Sequence, residues 1–141
     1  MSDDYALMFS PQQYQDIAVN AMKSMAAPFG GPVFHSCGNW GHLAFIVRNI
    51  EGLKMVDGAF GKQTDPAPNS PEIFAETFTD TGVALNARMV GDADTVLRQV
   101  EQLWRPGMKL IAVTYCADNQ QQAQVYNKVH QYVQVVGESI T

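Results

Sequence analysis

Apolar positions along this chain alternate between stretches with helical spacing and short continuous runs. The first helical stretch covers residues 10–27: Ser10 can cap it, Pro11 suits a first helical position, and Tyr14, Ile17, Ala18, Ala21, Met22 and Met25 share a face. Gly30, Gly31 and Pro32 end it. Val33-Phe34-His35 reads as a short strand running straight into Ser36-Cys37-Gly38-Asn39. Leu43, Ile46, Val47 and Ile50 mark a second helix, closed near Gly52. Residues 53–57 are short, mostly apolar and bounded by glycines, which predicts a strand buried on both faces. A Pro- and Gly-rich loop over residues 58–69 leads to a capped start at Ser70-Pro71 and a helix through Phe78. A third strand over residues 83–88 precedes a helix that begins near Asp92 or Asp94 and turns Val96, Leu97, Val100 and Leu103 inward before Pro106-Gly107 stops it. Residues 109–115 form the fourth strand, and Asn119 opens a last helix with Tyr126, Val129, Val133 and Val136 at heptad-like spacing.

A helix followed by four strand-loop-helix units predicts parallel strands joined by crossover helices. The expected fold is α/β, a partial (half) TIM-type (β/α)8 barrel of about four parallel strand-helix units, with residues 1–141 as one domain. Each strand ends in polar or reactive residues: His35 and Cys37, Asp57, Asn86 and Arg88, Tyr115 and Cys116. Parallel strands share one C-terminal rim, so these residues can converge although they are distant in sequence. A complete barrel takes about 250 residues, and four units alone leave two sheet edges open to pairing. The expectation is therefore a partner carrying the missing units, a homodimer of two half-barrels, or a chain from which the first half has been lost. The short acidic start, with no strand before the first helix, fits a chain beginning in mid-fold.

Composition narrows the choices. With 141 residues, 46% of them hydrophobic, the chain can bury a core. A net charge of −5, with nine scattered Lys and Arg, argues against a nucleic-acid or anionic-membrane partner. No run approaches the ~18 apolar residues of a membrane span, and Met1-Ser2-Asp3-Asp4 lacks the basic start of a secretory signal. A cytoplasmic location is the default expectation, and reducing cytosol keeps Cys37 and Cys116 as free thiols rather than a disulfide.

His35 and Cys37 stand two apart at a strand end, where residues i and i+2 point the same way. Cys116 arrives from the last strand, so one nitrogen and two sulfurs can meet. Three such ligands with an open fourth position make a catalytic zinc site, and zinc lowers the pKa of a bound thiol.

The segment Gly31-Pro32-Val33-Phe34-His35-Ser36-Cys37-Gly38-Asn39 resembles the HxCGN segment of the uroporphyrinogen decarboxylase superfamily, specifically its methylcobalamin:coenzyme M methyltransferase-like branch. The likeness continues through the Ser10-Pro11-Gln12-Gln13-Tyr14 helix start, Met55-Val56-Asp57, residues 86–92 and Thr114-Tyr115-Cys116. It covers essentially the whole chain but only the second half of that family's fold. The resemblance implies zinc on His35, Cys37 and Cys116, with a corrinoid (methylcobalamin) as methyl donor, possibly on a partner corrinoid protein. It implies that a small thiol, held on zinc as thiolate, attacks the cobalt-bound methyl group in line, leaving a thioether and reduced cobalamin. True decarboxylases of the superfamily use no metal and place their substrate-binding aspartate in the other half. The alternative is a non-catalytic subunit or a truncated remnant.

Each candidate also has a plainer role. Cys116 alone reads as a small buried hydrophobe. Asn39 and Trp40 either line a pocket or make a turn with a packing aromatic. Asp57 either orients a metal-bound histidine, contacts substrate, or caps the next helix. Asn86 and Arg88 bind a sulfonate or carboxylate, or form a rim salt bridge. Tyr115 is a further substrate-binding candidate at the end of the last strand. His42 and His130 look ordinary, Met22 and Met25 continue a core stripe, and residues 58–61 lack phosphate-loop spacing.

Overall fold

Strands form where short apolar runs meet the turn residues that bound them: β1 (Val33–His35), β2 (Met55–Ala59), β3 (Ala84–Arg88) and β4 (Lys109–Val113). The computed structural model describes residues 2–138. In it the four strands make one all-parallel sheet in the order β1-β2-β3-β4. β2 starts two residues later than the sequence pattern predicts. Gly52 turns with a left-handed φ of 77°, and the Leu53 N–H is used to close that turn on Ile50 O, so pairing with β1 begins at Val33 opposite Met55.

Every sheet neighbour is also a chain neighbour. Right-handed crossovers that always advance in the same direction deliver their helices to one face of the sheet, whereas a doubly wound sheet reverses direction and covers both. The helices α3 (Ala44–Arg48), α4 (Pro71–Phe78), α5 (Ala93–Leu103) and α6 (Asn119–Glu138) accordingly touch one another in sequence. Phe34, Val56 and Leu85 lie side by side in the strand register and are buried against Leu43, Val47, Phe74, Phe78, Val96, Val100 and Leu103. The other face carries the row His35, Asp57, Asn86 and Ile111. The architecture is α/β with a four-stranded parallel sheet and alternating helices, compatible with a partial barrel.

The opening helical segment departs from its predicted stripe. After α1 (Pro11–Tyr14), capped by a reciprocal Ser10 and Gln13 box, one π turn (Gln15–Val19) precedes α2 (Asn20–Ala26). A π turn inserts a residue and rotates the helix beyond it. Val19 and Met22 therefore join Tyr14 in the core, while Ile17 (61% exposed) and Met25 (59% exposed) face outward. In α6 the stripe is Val125, Val129, Tyr132 and Val136, one residue and so about 100° away from Tyr126, which is exposed.

A strand-like contact also precedes the first helix, where the sequence pattern predicts none. Ser2 bridges His35 in parallel, and the Asp3 N–H donates to His35 O (2.8 Å). The Tyr14 hydroxyl donates to Asp3 (2.8 Å), tying this segment to α1. Among the described residues, no helix is long and apolar enough to cross a membrane.

Asp92 caps α5 by accepting from Thr95 N–H (2.8 Å), and this bonding holds its carboxyl below the usual range. A depressed folded-state pKa gives stability that is present above the unfolded value and lost as pH falls through the folded one. Asp92→Ala is expected to lower the urea midpoint at neutral pH, and the deficit should shrink as pH falls below the usual carboxylate range and the wild-type carboxyl protonates.

Candidate metal centre

The rim site starts from the strand register, which sets His35, Asp57 and Asn86 side by side on the face away from the helices. His35 Nδ1 lies 2.6 Å from Asp57 Oδ1. Asn86 Nδ2 donates to Asp57 Oδ2 (2.5 Å) and Arg88 Nε to Oδ1 (3.0 Å), so the buried carboxylate is held by donors from β1 and β3 together. Asp57 thus orients His35, and the cap of α4 is supplied instead by Ser70, which accepts from Ile73 N–H. Asn86 and Arg88 both spend donors on Asp57, but Arg88 Nη2 is buried and has no hydrogen-bond partner among the described residues.

With Nδ1 facing a carboxylate, Nε2 is the ring nitrogen turned towards the thiol and the one placed to carry a metal. Cys37 Sγ lies 3.8 Å from Nε2, and Asp4 Oδ1 lies 3.9 Å from it. Among the described residues, Asp4, His35 and Cys37 form the one group of three metal-ligating side chains whose donor atoms all lie within 4.8 Å of one another. Tetrahedral zinc with ordinary Zn–N and Zn–S lengths holds its nitrogen and sulfur about 3.6 Å apart, so this imidazole and thiol are spaced to share a cation with a shift of tenths of an ångström.

The loop presenting Cys37 is fixed at both ends. Ser36 is buried, and its hydroxyl donates to Cys37 O (3.0 Å). Gly38 adopts a left-handed φ of 69°, which favours glycine, and donates to Asp65 (2.7 Å); a Cβ there would stand 2.5 Å from Leu7 Cδ1, the end of a flexible side chain that would have to shift. Asn39 accepts from Gly41 N–H (3.0 Å) and so shapes its own turn. Trp40 is fully buried, its rings edge-on to Phe34 (4.7 Å) and Phe74 (4.5 Å), and its backbone N–H donates to Asn69 (2.9 Å).

Charge around the thiol is negative. The Cys37 N–H donates to Asp4 (3.1 Å) and holds that carboxyl below its ordinary range. Partial desolvation, with the charge of Asp4 second, pushes the Cys37 thiol upward.

Cys116 and Tyr115 come after β4, at the same end of the sheet as His35 but on the opposite edge. Three inter-strand spacings amount to about 14 Å along a flat sheet, a span that curvature shortens. Cys116 is half-buried and packs against the core, lining a groove of about 770 Å³ between β4 and α6 with Leu110, Val125 and Val129. It is outside the close group, and Tyr115 is 76% exposed. Sequence reasoning missed Asp4, Asp65 and Asn69. Only the acidity of the first residues pointed towards Asp4, and no spacing rule links it to a histidine thirty-one positions later.

For a cation on His35 Nε2, removing the charge of the orienting carboxylate is costly. Asp57→Asn is expected to weaken zinc binding by about 10–100-fold, read by competition with a chromogenic chelator.

Fold and site together define a parallel α/β domain whose sheet rim carries an oriented imidazole beside a thiol. No protein-family model matches the chain, nor does any curated protein or solved structure.

Proposed function

We propose that the rim site holds zinc and activates a small thiol for methyl transfer from a corrinoid. The observation that carries this reading is the oriented histidine: Asp57 fixes Nδ1, and Nε2 faces Cys37 Sγ at 3.8 Å. Such carboxylate-histidine pairs set ring orientation and raise ligand basicity at metal sites. The likeness of residues 31–39 to the HxCGN segment of the methyltransferase branch supplies the reaction class. When bound, zinc supplies the charge that lets a thiol persist as thiolate at neutral pH. His35 and Cys37 act as donors, Asp57 holds the imidazole, and Asn86 and Arg88 hold Asp57.

The test is incubation of zinc-loaded protein with methylcobalamin and 2-mercaptoethanesulfonate, with the corrinoid monitored by its spectrum and the thioether by mass spectrometry. Zinc-dependent thioether formation is expected; a rate equal to that of zinc salt alone counts against the reading.

A second reading, a non-catalytic subunit or truncated remnant, draws on one observation. β4 lies at the sheet edge with Ile111 47% exposed, a surface that a second copy or a partner barrel sector could cover. Sedimentation at the mass of a dimer, with no zinc bound, would favour it.

A further inference from the structure

We infer that Asp4 supplies the third protein ligand of the rim site, making its donor set nitrogen, sulfur and oxygen, and that the cation thereby fastens the N-terminal segment to the sheet. This deepens the zinc reading above and rests on it.

Three independent contacts bring Asp4 to the site. Ser2 pairs with His35 and the Asp3 N–H donates to His35 O, so the segment runs beside the strand that carries the histidine. The Cys37 N–H donates to Asp4 Oδ1, which aims the carboxylate at the loop that carries the thiol. The Leu7 side chain packs against Gly38 in the same loop. The Asp4, His35 and Cys37 donor atoms lie within 4.8 Å of one another, whereas Cys116 leaves the opposite edge of the sheet and lies half-buried against the core beside α6.

Carboxylate oxygen is an ordinary zinc ligand beside imidazole and thiolate. Binding here would also place a divalent charge next to Asp4, whose side chain is 57% exposed, accepts from the Cys37 N–H and the Ser2 hydroxyl, and lies 3.9 Å from His35 Nε2. The segment over residues 2–9 gains its strongest anchor from that bond.

The experiment uses the full chain stripped with chelator and titrated with Co(II) and Zn(II). The unsubstituted protein and Cys116→Ser are expected to bind one Co(II) with equal affinity and the same thiolate-to-cobalt absorption. Asp4→Asn, which keeps an oxygen to accept the Cys37 N–H, is expected to bind at least about tenfold more weakly. Zn(II) should slow proteolysis and amide exchange over residues 2–9 in the unsubstituted chain and do so much less in Asp4→Asn. Weakening by Cys116→Ser with loss of part of the thiolate band, or unchanged affinity in Asp4→Asn, overturns the Asp4 assignment while leaving a zinc site. Absence of metal binding by the unsubstituted chain overturns both the assignment and the reading beneath it.

Discussion

Cys37→Ser is expected to abolish stoichiometric zinc binding while leaving the fold intact. The two halves of this result have separate physical causes. Cys37 supplies the only sulfur close to His35 Nε2, at 3.8 Å among the described residues, and a serine hydroxyl is a far poorer ligand for zinc at neutral pH. The affinity loss should exceed the roughly 10–100-fold expected for removing an outer partner such as Asp57. The side chain is exposed, so its replacement removes no core packing, and the urea midpoint of metal-free protein should move little. Because Cys37 belongs to the site whether the third ligand is Asp4 or Cys116, this variant tests the metal centre itself. Undiminished zinc content after dialysis would remove the centre from consideration; a collapsed urea midpoint would assign Cys37 to folding instead.

Trp40→Ala is expected to cost about 3–5 kcal/mol of stability, enough to unfold a marginal domain at moderate temperature. Trp40 is fully buried and packs edge-on against Phe34 and Phe74, with Phe78 a further neighbour at 6.3 Å. These side chains come from β1 and α4, so the indole joins the first strand to the helix that covers the second crossover. Its backbone N–H donates to Asn69, which in turn donates to Ala59 O at the end of β2. Truncation would therefore open a cavity directly beneath the loop that presents Cys37. The indole Nε1 is buried and has no hydrogen-bond partner among the described residues. Trp40→Phe removes that unmet donor along with part of the ring, and the two effects oppose each other. Equilibrium denaturation should thus show a much smaller loss for phenylalanine than for alanine. Equal losses would mean that a feature particular to the indole, and not apolar ring area, governs the site.

Much of this architecture was legible because it is written in local rules. Ser10 and Ser70 were visible as helix caps and Asp92 as one of two possible starts, and each accepts the N–H three residues on. The apolar runs at residues 33–35, 83–88 and 109–115 announced strands, which form at Val33–His35, Ala84–Arg88 and Lys109–Val113, and their alternation with helices announced a parallel sheet. His35 and Cys37 stood out because a two-residue spacing at a strand end needs no knowledge of the rest of the chain. The departures have non-local causes. A π turn at Gln15–Val19 leaves no mark in apolar periodicity, yet it exchanges Ile17 for Val19 in the core. The rotation of α6 about its axis depends on what β4 offers it, and this selected Val125 over Tyr126.

The sequence by itself determined the class of fold, the helix starts, and the pairing of an imidazole with a thiol at one strand end, since all three depend on residues within a turn or two of each other. Tertiary structure alone decided which groups lie beside that pair. The parallel register of β1, β2 and β3 made Asp57 the partner of His35 and set Asn86 beside it, while the bridge at Ser2 carried Asp4 to the rim. The strand order put Cys116 at the far edge. Residues separated by a crossover meet or miss according to register and strand order, and neither quantity is encoded at any single position.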